Sequence, residues 1–114
     1  MKEIRKKRIE SLLRDKISAM LMRGDVKDPR ISGLVTITDV TVSGDLKDAK
    51  VYLSVMDEPR KQQRVLEAFQ HAAGHIQRLL ARSISLKSTP RLTFSLDDSL
   101  ARGYRISQTL KNLQ

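Results

Sequence analysis

His71, His75, Arg78 and Arg82 follow one another at intervals of four, three and four residues, and no acidic residue stands between Glu67 and Asp97. At helical pitch those intervals stack the four side chains along one ridge. Lys87 and Arg91 extend the same acid-free window beyond it. Arginine grips a phosphate through two parallel N–H donors, so such a ridge suits a nucleic-acid backbone. The competing reading is the solvated face of a basic protein. Two other groups of cations are weaker candidates for the same chemistry. One is Lys2, Arg5, Lys6, Lys7 and Arg8, and the other is Lys27 with Arg30. Adjacent cations at the start of a helix oppose its dipole, so the first group reads either as a phosphate-binding arm or as a solvated first turn.

Catalytic constellations are poorly represented. Glu67, His71 and His75 are spaced like ligands on one helix face, but a break at Gly74 would misalign them and no fourth ligand follows. Asp57-Glu58 and Asp97-Asp98 read as helix caps rather than acid–base pairs. Ser43-Gly44-Asp45 has turn chemistry with no base beside it, and no Gly-x-x-x-x-Gly-Lys loop is present. The sequence contains no cysteine, which removes disulfides, thiolate zinc sites and thiol nucleophiles. The expectation is a binding protein without cofactor or metal.

Charge points the same way. The 114 residues hold 22 basic and 13 acidic side chains, a net charge of +9 and a sequence pI near 10.3, which favours a polyanionic partner. Residues 1–24 hold eight of the basic side chains, whereas 25–56 hold four against five acidic ones. Two Phe, two Tyr and no Trp leave few platforms for stacking on bases, so phosphate contacts should dominate. No uncharged apolar stretch approaches the ~18 residues of a membrane span. These features read as one soluble, intracellular domain spanning residues 1–114.

The elements that must position the cations centre on Leu34 to Met56. Ala49, Val51, Leu53 and Val55 alternate along one face of a strand. Before it, Val35 and Ile37 lie on one parity and Val40 and Val42 on the other, which predicts a bulge near Thr38-Asp39. The loop from Ser43 to Asp48 joins the two runs as an antiparallel hairpin, with Gly44 available for a positive φ. An amphipathic helix is predicted over Glu3 to Arg23, ended by Gly24. Asp25 to Gly33 is a linker, with Asp28-Pro29 opposing any helical continuation. A second helical stretch begins at Asp57-Glu58-Pro59 and keeps its apolar period to about Ser85. Gly74 lies in its middle, where a kink would fold two short helices onto one sheet face. Arg91 to Leu96 alternates as a third strand burying Leu92, Phe94 and Leu96, and a weaker helical stripe follows with Leu100, Ile106, Leu110 and Leu113.

These residues, in this order, resemble a known family. Lys27-Asp28-Pro29-Arg30-Ile31, Val42-Ser43-Gly44-Asp45-Leu46, Ala49-Lys50-Val51-Tyr52, Ala72-Ala73-Gly74, Thr89-Pro90-Arg91-Leu92-Thr93-Phe94 and Asp98-Ser99 together resemble ribosome-binding factor A over nearly the whole chain. The resemblance implies an α+β, type II KH-like fold. In it a three-stranded sheet is covered by helices on one face, the second hairpin strand is central and the third lies parallel beside it. The usual KH Gly-x-x-Gly loop is missing, and Ala72-Ala73-Gly74 matches the Ala-x-Gly kink that replaces it in the family. The resemblance also implies a bacterial, cytoplasmic assembly factor that binds free small ribosomal subunits and their 16S rRNA as a monomer. It further implies help in maturing the 5′ end of that RNA, a role in growth at low temperature, and release involving an assembly GTPase. Arg91 stands where relatives often carry an acidic residue, and no function of the longer polar tail of some members is carried over. A structural ribosomal protein and a DNA-binding module are the other classes that the charge would fit.

Overall fold

A computed structural model describes residues 2–31, 34–84, 86 and 88–98. The first element, α1, runs from Lys2 to Arg23 and buries Ile9, Leu13, Ile17 and Met20 at intervals of four, four and three. It stops where the sequence predicts. Gly24 adopts φ +75°, and the Gly24 and Asp25 N–H groups donate to Leu21 and Met20 carbonyls at 3.2 and 3.0 Å. That pair of bonds is the Schellman closure, which satisfies two carbonyls left open at the helix end.

Strand β1 (Leu34–Val42) pairs antiparallel with β2 (Asp48–Met56). The register shifts between Ile37 and Asp39, so the predicted bulge is present. Its effect is to bring Ile37, Val40 and Val42 all inside, which no straight strand could do. The loop differs from expectation in one detail. Its left-handed residue is Leu46, at φ 61°, and not Gly44. Ser43 and Asp45 fix the loop instead: the Ser43 hydroxyl donates to Asp45 at 2.7 Å and accepts from the Asp48 N–H at 3.0 Å, while Asp45 also takes the Lys47 N–H at 3.1 Å. These bonds, that from Ser43 first, hold the Asp45 carboxyl below the ordinary carboxylate range.

Helix α2 spans Pro59–Ser83 as one uninterrupted run of 25 residues. The expected division at Gly74 into two short helices is therefore corrected. Phe69 and Ile76 lie seven residues apart, close to two full turns, so one helix presents Val65, Phe69, Ile76 and Leu80 to the sheet without bending. Nothing crowds the glycine either: a Cβ there would meet only the Arg78 Nη1 at 3.6 Å, and Gly24 alone among the described glycines has positive φ. Ala72 and Ala73 are partly buried against the core, whereas Gly74 faces outward. The Gln62 amide donates to the Val55 carbonyl at 3.0 Å and ties the start of α2 to the end of β2.

Strand β3 (Arg91–Leu96) lies parallel to β2, giving the sheet order β1-β2-β3 with β2 central, as the resemblance implied. Ala49, Val51, Leu53 and Val55 alternate into the interior under the helices, joined by Leu92 and Phe94. The Phe69 ring of α2 meets the Phe94 ring of β3 at 5.3 Å between centroids, tilted by 41°. Full burial of a ring such as Phe69 contributes about 1.5–3 kcal/mol. Lys50, Tyr52 and Thr93 point to the other face, where the Lys50 ammonium lies 5.4 Å from the Tyr52 ring. Among the described residues no helix is long and apolar enough to cross a membrane. The predicted C-terminal stripe, Leu100 to Leu113, lies outside the described residues.

Candidate nucleic-acid interface

Continuity of α2 lengthens the cationic ridge that the sequence suggested. Arg60, Arg64, Glu67, His71, His75, Arg78 and Arg82 follow at intervals of four, three, four, four, three and four, and all seven are exposed. Helical geometry puts them on one side of the rod, opposite Val65, Phe69, Ile76 and Leu80. Arg60 and Arg64 were missed because the acid-free window begins only after Glu67. Extending the same three-and-four spacing backward through that single carboxylate would have found them.

The linker from Asp25 to Ile31 is fastened to the middle of this ridge. Asp28 accepts the Arg30 backbone N–H at 2.9 Å and Nε at 3.0 Å on one oxygen, and Nη2 at 2.7 Å on the other. The Ile31 N–H closes the turn onto the Asp28 carbonyl at 2.9 Å. Arg30 Nη2 also donates to His71 Nδ1 at 3.0 Å, and His75 Nε2–H donates to the Asp25 carbonyl at 3.2 Å. Hydrogen bonding by the Arg30 side chain, then by its backbone, holds the Asp28 carboxyl at about 2, against an ordinary 3.8. The same pairing raises Arg30. Two predicted phosphate ligands, His75 and Arg30, thus hold the linker in place, while Arg78 and Arg82 project without ion pairs among the described residues.

The remaining candidates divide. Lys27 is exposed on the linker beside the ridge. Arg5 and Lys6 instead border the β1–β2 loop at Gly44 and Leu46, and Arg5 also borders Ser88 and Pro90. Arg8 is exposed on α1. Arg91 stands at the loop end too: its N–H donates to the Lys47 carbonyl at 2.8 Å, and its guanidinium pairs with Asp48 at 3.1 Å. Both partners of that pair are well exposed, so a phosphate could displace the carboxylate at little cost. Lys87 lies outside the described residues. The structure therefore brings Lys27, Arg30, His71 and His75 together at the linker and gathers Arg5, Lys6 and Arg91 at the hairpin loop.

Glu67, His71 and His75 fall on one face of a continuous helix, so a break at Gly74 is not what separates them. Both rings are engaged elsewhere, by Arg30 and by the Asp25 carbonyl. No group of three or more His, Cys, Asp or Glu among the described residues could hold a metal ion.

Comparison with known proteins gives a consistent result. A family model for ribosome-binding factor A matches residues 5–110. The chain is 40% identical over 114 residues to ribosome-binding factor A of Halothermothrix orenii, covering all of this chain and 92% of the relative. It is 43% identical over 104 residues to the protein of that name from Anaeromyxobacter dehalogenans strain 2CP-C, covering 91% and 75% respectively. Among solved structures, it is similar to the crystal structure of ribosome-binding factor A from Thermus thermophilus. The TM-score there is 0.70 at 26% identity, over 80% of this chain and 93% of that one. A homology model of the Thermus thermophilus protein, fitted into a cryo-EM map of its complex with the 30S subunit, matches with TM-score 0.65 at 25% identity, over 80% and 93%.

Proposed function

The chain belongs to the ribosome-binding factor A family, with its KH-like fold, and on that footing we propose that it is an assembly factor for the small ribosomal subunit. It binds free 30S subunits through 16S rRNA and acts late in their maturation. The observation that carries this reading is the α2 ridge, a helix face on which arginines and histidines flank a lone carboxylate, Glu67, in a chain related to a protein fitted into a 30S complex. A ridge of that kind follows a phosphate backbone without reading bases. Help in maturing the 5′ end of the RNA, a role in growth at low temperature, release by an assembly GTPase, and action as a cytoplasmic monomer belong to the same proposal. They are supported by the family membership.

Sedimentation of the tagged protein through a gradient tests it. The protein is expected with free small subunits and absent from translating ribosomes. Retention in mature ribosomes would identify a structural ribosomal component instead, and failure to sediment with either would remove the ribosomal reading. Affinity for small-subunit RNA should also fall steeply with added salt, because each phosphate contact releases counterions.

A further inference from the structure

A recess of about 220 Å³ opens between the linker and the first turns of α2, lined by Pro29, Arg30, Lys61 and Arg64. Three of the four lining residues are cations. Arg30 is already fixed in position: Nε and Nη2 are engaged by Asp28 and His71, while Nη1 has neither hydrogen engaged among the described residues. Arg64 makes no ion pair among the described residues. Lys61 has only an exposed contact with Asp57 at 4.0 Å, which holds it weakly. Asp28, the nearest carboxylate on the linker, has both oxygens turned to Arg30 and offers no free charge to an incoming anion. The N-terminal end of α2 adds its own positive potential.

We infer that this recess is a binding site for a single phosphate of the RNA backbone, received by the free edge of Arg30 and closed in by Lys61 and Arg64. The site rests on the RNA-binding reading above and deepens it. The ridge on α2 would be anchored at one point where a phosphate enters a prepared cleft, with the remaining contacts made along an open surface. Preorganisation is the physical reason: a guanidinium already held by two partners loses little freedom when it takes up a third.

Two measurements on the 114-residue chain test it. First, inorganic phosphate is titrated at constant ionic strength while the Nε–H signals of Arg30 and Arg64 are followed by NMR. A saturable shift of both is expected, abolished at Arg30 by Lys61→Gln with Arg64→Gln in a protein of unchanged melting temperature. No saturable shift overturns the site. Acetate acting as well as phosphate overturns the assignment to phosphate and points to acidic side chains of a protein partner. Second, log Kd for small-subunit RNA is plotted against log salt. The double variant is expected to flatten the slope by about two, one for each cation removed. An unchanged slope in a variant that still binds RNA overturns the proposal and leaves the wider function intact. A wild-type chain that takes up phosphate here but fails to bind the RNA overturns the RNA reading and leaves the anion site standing.

Discussion

Arg30 and His71, 41 positions apart in sequence, meet at 3.0 Å between Nη2 and Nδ1. A guanidinium can only donate, so Nδ1 accepts and the proton of the neutral ring resides on Nε2. The contact couples the segment leaving α1 to the outward ridge of α2, and with the His75 bond to Asp25 it holds the linker at two points. Removing the first point by His71→Ala should loosen the linker without unfolding the domain. The expected result is faster amide exchange at Ile31, with global stability changed by no more than about 0.5 kcal/mol. Unchanged exchange at Ile31 would mean that Asp28 alone shapes the linker.

Asp28 gives a pH prediction of definite sign. Its folded pKa, about 2, lies below the ordinary 3.8, so its contribution to stability is fully present above the unfolded value and is lost as pH falls through the folded one. The stability difference between wild type and Asp28→Asn should therefore stay constant from neutral pH down to about 4 and shrink between about 4 and 2. Urea unfolding at a series of pH values checks this, and a difference that grows on acidification would contradict it.

Gly74→Ala should stabilise the protein by up to about 1 kcal/mol, since the glycine sits inside a continuous helix and the added methyl meets only the end of Arg78. A bend requiring glycine would give the opposite sign. Thermal or urea unfolding distinguishes the two, and RNA affinity should be unaltered in the variant.

Reversing Arg78 and Arg82 to glutamate should weaken binding to small-subunit RNA on the order of tenfold or more at moderate salt, with little change in melting temperature. Reversing Lys47 and Lys50, on the hairpin loop and the uncovered sheet face, should cost much less. Equal losses from the two pairs would show that the charge acts globally and not through the ridge.

Where a residue's neighbours in sequence decided its conformation, the sequence was readable. The parity switch between Ile37 and Val40 announced the bulge, Gly24 announced the end of α1, and the alternation in Ala49 to Val55 announced the central strand. Gly74 misled because propensity is a weak local preference. Phe69, Ile76 and Leu80 pack on one sheet face and override a cost of about 1 kcal/mol. Leu46 was hidden for a similar reason: its left-handed backbone is imposed by the Ser43 and Asp45 bonds around it, and no residue type signals that. At the interface, charge and spacing located the α2 ridge, but the partners of the cations lie far off in sequence. That Arg30 answers to His71, and Arg91 to Asp48, could be seen only once the chain was folded.

The parallel pairing of β2 with β3 also bears on how the chain is made. Asp48 and its partner Arg91 are separated by 43 positions, so every rung between these strands waits for the whole of α2 to be synthesised and docked. Until then the strand that ends at the centre of the sheet has one bare edge, bounded by Ala49, Val51 and Leu53, which in the finished protein are buried. A nascent chain stopped before Arg91 would carry an apolar, unpaired strand, the kind of edge through which chains join one another. Truncation at residue 90 should therefore give a product that associates, while the hairpin and α1 are already in place, and light scattering of the two lengths would compare them directly.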